Sequence, residues 1–188
     1  MSIRSFFALP LSVIVEQRLH QFTGQLRDDL HHSINPEAAF RWVPPANYHL
    51  TLAFLGDIRQ RDIQLLHQIA MELAAETAPG CFTLETCEWF PSSLKPRLLV
   101  AVPDKYQPLY DLQKRLGQQL NRQGFHIEKR AFRPHISLAR VRDIAAPPNL
   151  AEERLGLSCE MDELVLFSST QSRQGPVYTP VFAEPLSG

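Results

Sequence analysis

The sequence has no apolar run long enough to cross a membrane. Its 188 residues are 44% hydrophobic and 21% charged, as is usual for a soluble globular protein, and no stretch approaches the ~20 apolar residues of a membrane helix. The first ten residues carry one basic side chain and too short an apolar run for a signal peptide. We therefore expect a cytoplasmic monomer without membrane contact, with one domain over residues 1–188.

Cysteine is scarce, and the sequence contains no standard glycine-rich phosphate loop. The cysteines form an odd number without metal-type spacing: Cys81, Cys87 and Cys159. We interpret them as reduced structural thiols. No Cys or carboxylate pattern completes a ligand set around the seven histidines, so His20, His31 and His32 are expected to be surface residues. We expect neither a metal nor a cofactor.

A strong positive charge is also absent, because the net charge is -1. This argues against a protein that coats long nucleic acids by neutralising phosphates. Basic residues do crowd around one segment: Arg122, Lys129, Arg130, Arg133, Arg140 and Arg142. A site for an anionic ligand and a solvated basic face both explain this cluster, and charge alone leaves the two open.

The most informative feature is a repeat of ten residues. Residues 49–58 read HLTLAFLGDI and residues 135–144 read HISLARVRDI. The two segments share His, Leu, Ala, Asp and Ile at equivalent positions. Two copies are too few for a solenoid, so the repeat predicts a two-lobed fold with one copy in each lobe.

Hydrophobic periodicity predicts mixed helices and strands. Strands are expected at 3–9, 49–55, 82–86, 98–102, 135–141, 160–167 and 177–182, and helices over 15–30, 63–74 and 106–120. Residues 35–47 contain three prolines and are expected to form a loop. The order favours an α+β fold of antiparallel strand pairs with packed helices over a doubly wound sheet.

The repeat separates two faces of each strand, because alternate side chains of a strand share a face. His49 and Thr51 point one way in the first copy, and His135 and Ser137 do so in the second. A pseudo-two-fold axis would bring all four into one cleft. One imidazole can then accept a proton while the other donates one.

This arrangement suits a phosphodiester, above all a strained cyclic phosphate attacked by water. The hydroxyls of Thr51 and Ser137 can donate to the non-bridging phosphate oxygens, and Arg130 or Arg133 can add charge-assisted contacts. Three aromatic residues near the motifs are candidates for stacking on a base, with plain packing as the alternative: Phe40, Trp42 and Phe132.

The paired motifs resemble the two signature motifs of the 2H phosphoesterase superfamily. Residues 6–10 (FFALP), 47–56 (NYHLTLAFLG), 133–140 (RPHISLAR) and 178–180 (YTP) are similar to the RNA 2′,3′-cyclic phosphodiesterases, also called 2′-5′ RNA ligases. The resemblance implies a bilobal fold with two antiparallel sheets facing a central cleft and helices outside. Ser137 stands where the family often has Thr, which retains the hydroxyl without the stiffening methyl group.

The resemblance also implies an activity and roles. It implies metal-independent hydrolysis of RNA 2′,3′-cyclic phosphate ends to 2′-phosphates, with reversible 2′-5′ ligation, His49 as proton donor and His135 as proton acceptor. Thr51 and Ser137 would bind phosphate. The partners would be RNA ends or nucleotides bearing a cyclic phosphate. Two alternatives remain: a phosphodiesterase acting on a small nucleotide or ADP-ribose derivative, and an RNA-end-binding module without turnover.

Overall fold

The described part of the chain forms nine strands and three α-helices. The structure is a computed structural model that describes residues 2–30, 40–128, 130–142, 144, 147, 149–150, 154–173 and 175–188. The strands are β1 (Ser2–Pro10), β2 (Phe40–Trp42), β3 (His49–Arg59), β4 (Gly80–Phe90), β5 (Leu98–Pro103), β6 (Ile136–Val141), β7 (Arg154–Met161), β8 (Glu163–Ser172) and β9 (Gly175–Pro185). The helices are α1 (Val13–Leu30), α2 (Ile63–Ala75) and α3 (Gln107–Arg122), and Pro45–Asn47 and Gln60–Asp62 form 3-10 turns. The predictions for His31, His32 and Lys129 lie outside the described residues.

The strands form two antiparallel halves. In the first sheet the order is β3-β1-β8-β9, and in the second it is β7-β4-β5-β6, with β2 paired to β6. The two join at one pair of residues, Leu50 of β3 and Ile136 of β6. The prediction of an α+β fold is confirmed. The two sheets that were expected to be separate are joined by this pair into one continuous strand order.

The helices pack through the apolar stripes that the sequence predicts. Buried stripe residues are Val15, Leu19, Leu26 and Leu30 in α1, Leu66, Ile69, Leu73 and Ala74 in α2, and Leu109, Leu112, Leu116 and Leu120 in α3. Helix α1 contacts β7, α2 contacts β8 and β9, and α3 contacts α2 and β3. Helices α1 and α3 each follow a strand of one sheet and pack on a strand of the other, so the chain ties the two sheets together.

The sheet has a helix-covered face and a cleft face, and β1 shows both. Phe7 and Leu9 are fully buried in the core. Phe6 points the other way, with its ring 4.8 Å from that of His49 and 5.0 Å from that of Tyr178. Alternation in a strand places residues two apart on one face. The segments that flank the motifs therefore build the wall of the cleft as well as the core.

Two predictions of local structure are wrong. The expected loop over residues 35–47 contains β2, because Phe40 and Trp42 pair with Val141 and Ala139 at the edge of β6. The single strand expected over residues 160–167 is two strands, β7 and β8, which are separated at Asp162. In both places pairing with other strands, and not the local sequence preference, decides the structure.

We predict that Leu50→Ala destabilises the protein by about 2–5 kcal/mol, because Leu50 is fully buried where the sheets join and a Leu→Ala change leaves a cavity. Urea denaturation measures the loss. Leu94→Ala is the matched control, since Leu94 is 88% exposed and its truncation should change stability by less than about 0.5 kcal/mol. Equal effects of the two changes would contradict the packing described.

Candidate active site

The contact between the sheets brings the two motifs together. In an antiparallel register around Leu50 and Ile136, position 49 faces 137 and position 51 faces 135. The four polar motif residues line one cavity of about 240 Å³: His49, Thr51, His135 and Ser137. The structure therefore brings together the two imidazoles and two hydroxyls that the repeat indicates.

Each imidazole is held by a carbonyl two residues before it. Nδ1 of His49 lies 2.8 Å from the backbone oxygen of Asn47, and Nδ1 of His135 lies 2.7 Å from that of Arg133. A carbonyl oxygen can only accept, so Nδ1 carries the proton in both rings. This leaves Nε2 of each ring as the nitrogen that can exchange a proton with a ligand.

Burial keeps both histidines neutral near pH 7. It lowers the pKa of His49 to about 4, against the opposing effect of the Asn47 carbonyl, and the neighbouring His135 lowers it further. Burial also lowers the pKa of His135, with a further lowering by the Arg133 charge and an opposing effect of the Arg133 carbonyl. A water-poor site penalises the charged ring. A bound anion would offset this penalty.

The hydroxyls of Thr51 and Ser137 are half-buried in the cleft. Neither hydroxyl has a hydrogen-bond partner among the described residues. Each is thus available to donate to a ligand oxygen in the cavity.

Two arginines line the cleft, and neither is one of the two that the sequence suggested as phosphate contacts. Arg41 and Arg140 line it, whereas Arg130 is exposed and pairs with Glu128. Arg133 donates from Nη1 to the Pro91 carbonyl at 3.1 Å. The structure does not bring Arg130 or Arg133 to the phosphate-sized space between the motifs.

Of the three base-stacking candidates, Trp42 lines the cleft. Phe40 is buried and stacks on Trp42, with the ring centroids 5.4 Å apart. Phe132 contacts Tyr110 edge-on at 5.7 Å and lines a separate cavity of about 160 Å³ on another side of His135. Only Trp42 is therefore placed to meet a ligand in the cleft between the motifs.

Strict alternation along the strands does not predict two other cleft residues, Phe54 and Arg140. Between β1 and β3 the register skips Leu52 and, further along, Leu55, and between β5 and β6 it skips Leu138. Such a bulge switches the face on which later side chains lie. Phe54 and Arg140, the sixth residues of the two repeats, therefore line the cleft. An alternation argument that allowed for a bulge at the fourth residue of each copy would have placed Phe54 and Arg140 on the cleft face.

The start of β9 contacts two residues that line the cleft, Asn47 and Arg41. Asn47 donates from Nδ2 to the Pro176 carbonyl at 2.9 Å, so the residue that holds His49 is itself held. Gly175 has φ +129, and a Cβ there would lie 2.8 Å from Nη2 of Arg41. Glycine lets the Arg41 guanidinium pack against the backbone at this point.

The ring of Phe90 contacts both His135 and the guanidinium of Arg133. The rings of Phe90 and His135 are 4.5 Å apart at 26°, and the guanidinium of Arg133 lies 4.5 Å from the Phe90 ring centroid. A cation over an aromatic face is attracted by the ring quadrupole. Arg133 therefore positions His135 and biases its charge without lining the cleft.

The other described histidines and the cysteines have structural or surface positions. No group of three His, Cys, Asp or Glu side chains able to hold a metal occurs among the described residues. His20 is exposed, and His67 pairs with Glu184. None of the three cysteines forms a disulfide in the described part of the chain. In the part of the chain that is described, the helices are too short or too polar to span a membrane.

Comparison with known proteins gives consistent matches. The model of the family described as LigT-like phosphoesterase matches the chain twice, at residues 17–100 and 100–178, so each match contains one motif. An RNA 2′,3′-cyclic phosphodiesterase of Bacillus subtilis (strain 168) is 32% identical over 149 residues, which cover 78% of this chain and 81% of that protein.

Solved structures share the fold along its whole length. A protein of Thermus thermophilus superimposes with a TM-score of 0.82 at 27% identity, covering 98% of both chains. Escherichia coli LigT complexed with 3′-AMP superimposes with a TM-score of 0.79 at 26% identity, covering 100% of both chains. The E. coli protein has also been crystallised with phosphate and with ATP.

We predict that Arg133→Met raises the pKa of His135 towards the ordinary value near 6.5, because the change removes the cation that lowers it. NMR titration of the ring protons measures this shift. Arg130→Met is the control, since Arg130 pairs with Glu128 outside the cleft. An unchanged or lower pKa of His135 in Arg133→Met would contradict the electrostatic role of Arg133.

Proposed function

Because the chain belongs to the LigT-like phosphoesterase family, we propose that it hydrolyses RNA 2′,3′-cyclic phosphate ends to 2′-phosphates. The observation that carries the proposal is the pair of imidazoles in one cavity, each with Nδ1 on a carbonyl and Nε2 available. A phosphodiesterase needs one proton acceptor and one proton donor on opposite sides of phosphorus. The relatives' activity supports the same reaction class.

The proposed step is a single displacement at phosphorus. A water oxygen attacks phosphorus while Nε2 of His135 accepts the water proton. The bond from phosphorus to the 3′ oxygen breaks, and Nε2 of His49 gives its proton to that oxygen. The products are a 3′-hydroxyl and a 2′-phosphate. If an RNA 5′-hydroxyl takes the place of water, the same step joins two ends through a 2′-5′ linkage.

The roles of the two histidines agree with their surroundings. The larger lowering of pKa is at His49, which makes its protonated ring the stronger acid and the better donor to a leaving alkoxide. The ring of His135 has the smaller shift and is the better acceptor. The negative charge of the bound phosphate raises the pKa of His49 and supplies the proton-bearing form.

The phosphate oxygens meet donors from both repeats. Thr51 and Ser137 offer hydroxyls, and Arg140 offers a guanidinium in the same cavity. Donors fixed before the reaction stabilise the charge that develops in the transition state. Trp42 and Phe54 offer aromatic surfaces to a base at the rim.

All four motif residues come from one chain, which supports a monomer. The helices that cross between the sheets support one domain over residues 1–188. Cysteines that form no disulfide among the described residues agree with a reducing cytoplasm. We propose all three on these grounds.

We predict that His49→Ala and His135→Ala each lower kcat for a 2′,3′-cyclic nucleotide by at least ~100-fold, since each change removes a proton-transfer group. Steady-state hydrolysis of cytidine 2′,3′-cyclic phosphate measures the loss. His20→Ala is the matched control, because His20 is exposed on α1, and it should retain full activity. Full activity in either cleft variant would disprove the two-histidine mechanism.

We also predict that kcat/KM has a bell-shaped pH profile with its maximum below about pH 6.5, because burial lowers the pKa of both histidines in the free enzyme. The maximum of kcat should lie at higher pH, because the bound anion stabilises the protonated ring. Initial rates from pH 4 to 9 test both statements. A kcat maximum at lower pH than that of kcat/KM would contradict the proposed effect of the phosphate.

A further inference from the structure

A second cavity lies directly beside the cleft. It has a volume of about 470 Å³, larger than the cleft itself. Five residues line both spaces: Arg41, Phe54, Arg140, Pro176 and Tyr178. The two spaces therefore adjoin, and a ligand with its end between the histidines is placed to extend towards the second cavity.

The second cavity is strongly basic. Arg4 and Arg142 line it in addition to Arg41 and Arg140, and its lining contains no carboxylate. Asp57 faces Arg4 in the β1–β3 register. However, Arg4, Arg140 and Arg142 form no ion pair in the described part of the chain. In a chain of net charge -1, four guanidinium groups around one cavity indicate an anionic ligand.

The repeat explains how the cavity arises. Gly56 and Arg142 are the eighth residues of the two copies, and both line the second cavity. At this position the first copy leaves space, because glycine has no side chain, whereas the second copy supplies a cation. The basic cavity is thus a consequence of a difference between copies that otherwise match.

An exposed aromatic ring lies where the two spaces meet. Phe54 is 61% exposed and lines both cavities. Tyr178 also lines both. Stacking of a base on such a ring is sequence-tolerant, because every base has a π face. Phosphate-binding cations beside an aromatic platform are the combination that binds single-stranded nucleic acid.

The third cavity, on another side of His135, has a different character. Its lining contains one arginine, Arg133, which Glu88 offsets in charge, and the other lining residues are His135, Tyr110 and apolar side chains. It offers no comparable site for further phosphates. The distribution of charge therefore distinguishes one of the three cavities as the place for the RNA chain.

We propose that the second cavity binds the phosphodiester backbone of the nucleotides that adjoin the terminal cyclic phosphate, so that the protein selects RNA ends over mononucleotides. This inference rests on the proposed function for the position of the terminal phosphate. A cyclic mononucleotide places its one phosphate between the histidines and has none for Arg4 and Arg142. An oligonucleotide has further phosphates that form charge-assisted hydrogen bonds there.

The test compares two substrates in Arg4→Ala, Arg142→Ala and the double variant. The substrates are a six-nucleotide RNA with a 2′,3′-cyclic phosphate end and cytidine 2′,3′-cyclic phosphate. We expect the ratio of their kcat/KM values to fall about tenfold for each arginine removed, through KM for the RNA. Arg18→Ala, an exposed arginine on α1, removes the same charge elsewhere and should leave the ratio unchanged.

Salt dependence gives a second readout. The slope of log kcat/KM against log salt for the RNA should become shallower by about 0.7 for each phosphate that the variant no longer binds. An unchanged ratio and slope in the double variant would overturn the proposal. An equal loss of activity on both substrates would also overturn it, because the arginines would then act on the terminal phosphate.

Binding separates this inference from the proposed reaction. Fluorescence anisotropy with a labelled six-nucleotide RNA that ends in a 2′-phosphate needs no turnover. Weaker binding by the double variant than by the wild type supports RNA binding in the second cavity, even if the wild type hydrolyses neither substrate. In that case the proposed function is wrong, and the inference about the second cavity still holds. Equal binding by the two proteins would overturn the second cavity irrespective of activity.

Discussion

The site depends on one contact, the pairing of Leu50 with Ile136 where the two sheets meet. Both residues are fully buried, so the polar residues beside them point away from the core into the cleft. Antiparallel pairing about a single point relates the two strands by a local two-fold axis. An apolar contact on the helix-covered face therefore sets the separation of two imidazoles on the other face.

The two copies share the two-fold relation in their strands and in the hydrogen bonds of their histidines. They differ in the residues that follow the motifs. Both imidazoles donate to the carbonyl two residues earlier. Beyond the motifs the copies diverge: Phe54 corresponds to Arg140, and Gly56 to Arg142. One copy offers an aromatic surface and space, and the other offers cations. In the proposed function the symmetric part carries out proton transfer, and in the further proposal the asymmetric part orients an RNA end.

Alternation in the sequence predicted much of this arrangement, because a period of two is a local property. It predicted that His49 and His135 would share a cleft with the two hydroxyls. It could not predict the bulges at Leu52 and Leu138, which depend on pairing with β1 and β5. The positions of Phe54 and Arg140 follow from those bulges.

Charge predicted the site less well than alternation did, because a cluster of basic residues in the sequence does not show which way each side chain points. Arg130 and Arg133 adjoin the second motif, yet one pairs with Glu128 and the other packs over Phe90. Arg4 and Arg41 are distant from that motif in sequence and approach it only through the sheet and β2. Tertiary pairing, which no local pattern encodes, decides which guanidinium groups face the ligand.

The most direct test of the two-histidine mechanism follows the atoms of the reaction. An RNA that ends in a 2′,3′-cyclic phosphate is incubated with the protein in ¹⁸O-labelled water and excess chelator, and the product is analysed by mass spectrometry and ³¹P NMR. We expect a terminal 2′-phosphate that carries one ¹⁸O atom. A terminal 3′-phosphate, or turnover that appears only when a metal ion is added back, would contradict the mechanism.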